Sequence, residues 1–165
     1  MNLRKLRKED AKWMLEWMHD TSVVQDLLID FSVKSLNDCF LFIEKSVIDK
    51  ENLNLAIVDE NDTYMGTVSL KHINREQKSA EFAITLRKIA MGKGYAIFGM
   101  NQIFELAKKE LKLNLIYWCV SKKNLRAIRF YNKNGFELCF EIPFIYTQCY
   151  QKDILEDLIW YSVQL

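Results

Sequence analysis

Apolar residues recur along this chain with two periods, and the points where one gives way to the other outline its elements. Asn2 to Leu6 alternates as a short strand. From Asp10 the period changes to that of a helix, with Trp13, Met14, Trp17 and Met18 on one face. A polar break at Asp20, Thr21 and Ser22 leads into a brief apolar run ending at Ile29. Ser35 stands where an N-cap belongs, ahead of a helix to Ile48 whose buried side is Cys39, Phe40, Phe42, Ile43 and Val47. Three β-like runs follow at 54–59, 64–72 and 79–86, joined by the polar turns 60–62 and 74–78, the order of an antiparallel meander. After Met91 to Gly94 the helical period returns over 94–111 through Ile97, Met100, Ile103 and Phe104, and 114–120 is again β-like. Strand 80–86, helix 94–111 and strand 114–120 predict a right-handed parallel βαβ unit. A short helix over 125–133 places Gly135 at its C′ position, and 136–145 with 155–163 reads as a closing hairpin. Pro143, the single proline, fits a strand edge or bulge. The pattern predicts an α/β (α+β) fold. It is a single domain over 1–165 with a mixed, mostly antiparallel sheet of six or seven strands and flanking helices.

One junction in this pattern carries chemistry. Strand 80–86 delivers the chain into Gly92, Lys93 and Gly94, which open the helix. The first N–H groups of a helix lack internal partners and carry the positive end of its dipole, so a phosphate fits there. The plainer reading is a turn in which glycine supplies φ > 0. No Lys-Ser/Thr pair follows the second glycine and no third glycine completes a dinucleotide fingerprint, so neither a P-loop nor a Rossmann site is present.

Composition narrows the rest. Half of the 165 residues are apolar, 27% are charged and the formal net charge is +1, which gives no electrostatic reason to expect nucleic acid or a membrane surface as partner. Four scattered cysteines without a CxxC, and only His19 and His72, offer no metal-ligand spacing. Free thiols and the lack of an apolar run after Met1 lead to the expectation of a cytoplasmic protein without signal peptide or transmembrane segment.

Two segments, EFAITLRKIAMGKGYA (81–96) and NLRAIRFYNKNGFE (124–137), together resemble the acetyl-CoA core of the GNAT superfamily of N-acetyltransferases. The resemblance is to the branch of ribosomal-protein N-terminal, spermidine and amino-sugar acetyltransferases. It rests on Glu81, Leu86, Gly92, Lys93, Gly94, Tyr95 and Ala96, then on Asn124, Ala127, Tyr131, Gly135 and Phe136. Met91 departs from the Gln or Arg often found at its position, and Ala83 from a glycine. Arg87 and Lys88 are candidates to replace the charge lost at Met91, or else solvated surface residues.

The resemblance implies acetyl-CoA as cosubstrate, without a metal, and transfer of acetyl to a primary amine by direct attack in a ternary complex. It implies pantetheine against the strand at Ile84, Thr85 and Leu86, the pyrophosphate on main-chain N–H groups from Met91 to Ala96, and further cofactor contacts at Asn124 and Ala127. Asn124 also reads as the cap of helix 125–133. Tyr131, about two turns along from Asn124, becomes the candidate general acid, or else a core tyrosine beside Phe130. Glu81 becomes the candidate base, or else an exposed strand glutamate. Cys119 reads as a small buried hydrophobe. For the acceptor, Trp13, Trp17, Phe31, Phe144, Tyr146 and Tyr150 favour an amino sugar linked to a nucleotide, ahead of a peptide N-terminus and then a polyamine. Glu16, Asp20, Asp26 and Asp30 are the carboxylates that would gather around a polyamine. An acyl-CoA-binding sensor without activity is the alternative of another class, and a homodimer through edge strands is expected.

Overall fold

A computed structural model describes residues 1–165. Its elements are β1 (Asn2–Lys5), α1 (Ala11–Met18), α2 (Thr21–Val24), α3 (Leu36–Ile48), β2 (Leu53–Val58), β3 (Tyr64–Asn74), β4 (Ser79–Leu86), α4 (Tyr95–Lys109), β5 (Leu115–Ser121), α5 (Leu125–Lys133), β6 (Glu137–Leu138), α6 (Phe144–Thr147), α7 (Lys152–Glu156) and β7 (Leu158–Gln164). The strands form one sheet in the order β1-β2-β3-β4-β5-β7-β6, antiparallel throughout except at β4–β5. No helix is long and apolar enough to cross a membrane.

Strand alternation sends neighbouring residues to opposite faces, and both faces are covered. Ala56, Val58 and Tyr64 meet Met14, Trp17 and Ile43 of α1 and α3. Leu55, Ile57, Leu70 and Phe82 meet Met100, Ile103 and Phe104 of α4 on the other face. There Trp118 gathers Phe82 (5.9 Å between ring centroids), Phe136 (5.1 Å), Tyr131 (5.5 Å) and Tyr161 (5.7 Å, stacked). Each such ring pair contributes ~0.5–1.5 kcal/mol beyond its buried area. Trp17 belongs to the first core, 4% exposed with Nε1 donating to Tyr64 Oη at 3.1 Å, so it packs the interior and does not line an acceptor pocket.

The parallel pair decides where a ligand can enter. Bridges between β4 and β5 run only from Ser79–Leu115 to Glu81–Tyr117, whereas β4 stays paired with β3 as far as Leu86. Beyond Glu81 the two strands separate, leaving one edge of Phe82–Leu86 without a β partner.

The architecture departs from the expected pattern at the polar break, where Asp20 caps the short helix α2, and more widely in the closing hairpin. The hairpin's first strand is two residues long and is followed by α6 and α7. Pro143 is the N-cap of α6, not a strand edge or bulge: its φ of −57° suits a helix start. Tyr146 is then wholly buried and hydrogen-bonded to Ser79 at 2.7 Å, a packing gain that an extended strand here would forgo.

Candidate active site

The gap between β4 and β5 is a cleft of about 420 Å³. Ile84, Thr85, Leu86, Met91, Gly92, Ala96, Asn124, Ala127, Tyr131 and Glu81 all line it, so residues from both sequence segments meet in one place. Segment 23–31 forms a further wall through Val23, Asp26, Leu27 and Phe31.

At one end lies the glycine turn. Gly92 (φ 74°) and Gly94 (φ 85°) adopt backbone conformations that L side chains rarely enter. A Cβ on Gly94 would come no closer to protein than 3.9 Å, from Met1, so within the protein its requirement is conformational, with open space beside it. The N–H groups of Gly92, Gly94, Tyr95, Ala96 and Ile97 donate to no main-chain acceptor, and no side chain caps α4. That is an array of unpaired donors at a helix dipole's positive end, the fit expected for a pyrophosphate. Lys93 is exposed beside it.

Arg87 cannot supply the charge missing at Met91. It is 6% exposed, held by Glu16 at 2.8 Å and by the Tyr64 carbonyl at 3.0 Å, and stacked on Trp13 at 4.1 Å. The same pair removes Glu16 from any acidic cluster; Asp20 and Asp30 are engaged by Ser22 and Ser32. The cation over the turn is Arg126 of α5, whose Nη1 reaches only the weakly accepting Met91 Sδ at 3.0 Å and the Ser22 carbonyl at 3.5 Å. The sequence signal for it was slight: a basic residue two places after Asn124.

Asn124 caps α5 through Oδ1, which accepts from the Ala127 N–H at 3.1 Å. Its amide group donates to nothing in the protein and is left beside the cleft. Helix α5 ends in a full Schellman arrangement: Gly135 (φ 76°) donates to the Asn132 carbonyl and Phe136 to that of Tyr131, each at 3.1 Å. The Phe136 and Tyr131 rings meet across it at 6.2 Å, which fixes the direction of Tyr131. The Tyr131 ring is core, but its hydroxyl meets no protein partner and is not among the sealed polar atoms. Burial raises its pKa, so the phenol keeps its proton across the physiological range.

At the other end sits Glu81, 2% exposed and therefore not a surface glutamate. Its Oε1 accepts from Lys71 Nζ at 3.1 Å and from Tyr150 Oη at 2.8 Å. Cys119 donates to Tyr150 Oη at 3.3 Å, and burial pushes its thiol up to about 11, which keeps it protonated and poorly nucleophilic. Lys71, as a member of this cluster, is visible only once the β3–β4 register pairs it with Glu81. Of the aromatics expected around an acceptor, Phe31 and Tyr150 line the cleft; Phe144 is 75% exposed and Tyr146 is buried elsewhere.

A strand pair that opens beside a glycine turn, with free amides at one end and a carboxylate at the other, defines a site for an acyl thioester carried on a nucleotide tail. Residues 1–137 match the family model described as acetyltransferase (GNAT) domain. The chain belongs to the GNAT family and is an acetyl-CoA-dependent N-acetyltransferase. It is 24% identical over 136 residues to a spermidine N(1)-acetyltransferase of Vibrio cholerae, covering 82% of this chain and 78% of that protein. It is 24% identical over 151 residues to acetyltransferase PseH of Campylobacter jejuni, covering 90% of each. Its fold matches the crystal structure of V. cholerae spermidine N-acetyltransferase in complex with CoA and spermine, with a TM-score of 0.80, 21% identity and coverage of 99% and 94%.

Proposed function

We propose that this chain acetylates the primary amine of a nucleotide-linked amino sugar. The observation that carries this reading is the composition of the acceptor end. Phe31 and Tyr150 give the cleft aromatic surface for a ring, and the carboxylate of Glu81 is paired with Lys71. Of Glu16, Asp20, Asp26 and Asp30, only Asp26 lines the cleft. The names of several relatives favour a polyamine as the second reading.

Acetyl-CoA supplies the activated acetyl group. In this reading the N–H groups of Gly92 and of Gly94 to Ile97, with Arg126 over them, hold the pyrophosphate, and the free edge of Ile84–Leu86 and the Asn124 amide hold the pantetheine arm. The N–H groups of Met91 and Lys93 are taken by the Lys88 and Ala90 carbonyls. The acceptor nitrogen attacks the thioester carbonyl as the C–S bond breaks. Tyr131 gives its phenolic proton to the departing sulfur, and Glu81 receives the proton lost by the amine. Burial of Tyr131 keeps the phenol protonated, so its proton is in place to be shared with the sulfur as the C–S bond breaks.

A panel of a nucleotide-linked amino sugar, spermidine and a peptide N-terminus, with free CoA measured and products weighed by mass spectrometry, tests the acceptor. The amino sugar is expected to give the highest kcat/KM. Preference for spermidine would transfer the reading to polyamines, and CoA binding without turnover of any amine would argue for a sensor.

A further inference from the structure

The floor of the cleft holds a polar cluster that the glycine turn and the α5 motif do not account for. Only one oxygen of Glu81 is satisfied: Oε1 has two donors, while Oε2 is buried without a hydrogen bond. The groups that face this carboxylate are Lys71 and His72 from β3, Cys119 from β5, and Tyr146 and Tyr150 from the segment around α6. Lys71 and Tyr150 alone both line the cleft and bond the carboxylate. An ammonium has donors only and cannot receive a proton from an incoming amine, whereas a phenol donates and accepts at once. Tyr150 Oη already does both, giving its proton to Glu81 and accepting the weak thiol donor of Cys119.

We propose that Tyr150 carries the acceptor's proton to Glu81, so that the base of this reaction is the tyrosine–glutamate pair. The proposal rests on the reading of Glu81 as base given above. The acceptor amine replaces Cys119 as the donor to Oη. As its nitrogen bonds to the acetyl carbon, an N–H bond breaks and that proton joins Oη. The proton originally on Oη passes to Oε1, so the phenol ends neutral and Glu81 ends as a carboxylic acid. Glu81 then releases the proton from Oε1 to solvent as product leaves the cleft.

The test is a double-mutant cycle on the full chain with Tyr150→Phe, Glu81→Gln and the double variant, using a nucleotide-linked amino sugar and spermidine as acceptor probes. Each single change is expected to lower kcat at least tenfold, with acceptor KM and calorimetric CoA affinity within twofold. The double variant is expected to fall no further than the weaker single one, as groups acting in series do. A double variant whose loss is the product of both singles overturns the relay. So does Tyr150→Phe at wild-type kcat while Glu81→Gln is impaired, an outcome that leaves Glu81 as base. Glu81→Gln at wild-type kcat overturns both readings. If Tyr150→Phe fails to fold, 3-fluorotyrosine at position 150 keeps every contact with a more acidic hydroxyl: a changed kcat supports the relay, and an unchanged one overturns it.

Discussion

Single side chains in this cleft are committed by their neighbours more than by their type. Arg87 and Arg126 are both arginines at the mouth, yet one is sealed by Glu16 and Trp13 while the other meets only a thioether and a distant carbonyl. Arg126→Ala is therefore expected to weaken CoA by roughly tenfold, the equivalent of about 1.4 kcal/mol. Binding of pantetheine, which lacks the phosphates, should not change; calorimetry on both ligands checks this. Tyr131→Phe keeps the ring contacts with Trp118 and Tyr161 and removes only the unpartnered hydroxyl. Its kcat should drop by at least about tenfold while CoA affinity holds, as loss of a general acid requires. Wild-type turnover would take Tyr131 out of the chemistry.

At the scale of elements, what could be read from the chain is what is fixed locally. Ser35 and Asp38 close a capping box, and α3 runs as expected to Ile48. Asn124 and Gly135 bracket α5 in the same way, whereas the roles expected of Asn124 and Tyr131 came from the family resemblance and not from the caps. Gly135→Ala forces a Cβ into φ 76° and should cost about 1–2 kcal/mol, read as a lower urea midpoint. If turnover falls as well, the hold of Phe136 on Tyr131 is the cause to examine. The Lys71–Glu81–Tyr150 cluster was not legible, because it is assembled by cross-strand register and by a loop 69 positions away in sequence. The first strand of the closing hairpin, expected over 136–145, failed for a related reason. Only Glu137 and Leu138 pair with β7, and Tyr146 just beyond is buried in α6 against partners far along the chain, Ser79 among them, of which periodicity carries no record.

The whole molecule stores many protons in its interior. Burial raises the pKa of Tyr64, Tyr117, Tyr131, Tyr146, Tyr150 and Tyr161 alike. The folded chain holds these protons more tightly than the unfolded one. Their contribution to stability is thus complete below the unfolded tyrosine pKa near ~10 and is lost as pH rises toward the folded values. Cys39 and Cys119, whose thiols burial also raises, add a loss that begins lower, so the urea midpoint should start to fall above about pH 8.5 and fall more steeply above about 10. The parting of β4 and β5 acts at the same scale. Seven strands share one sheet, but its two halves are stitched by only three parallel bridges, Ser79–Leu115, Ala80–Ile116 and Glu81–Tyr117. An extended thioester arm lying along Ile84–Leu86 would serve as a surrogate strand, so the cosubstrate becomes part of the scaffold during each turnover. Amide hydrogens of Phe82–Leu86 should then exchange far more slowly with CoA present, and its departure would reopen the seam.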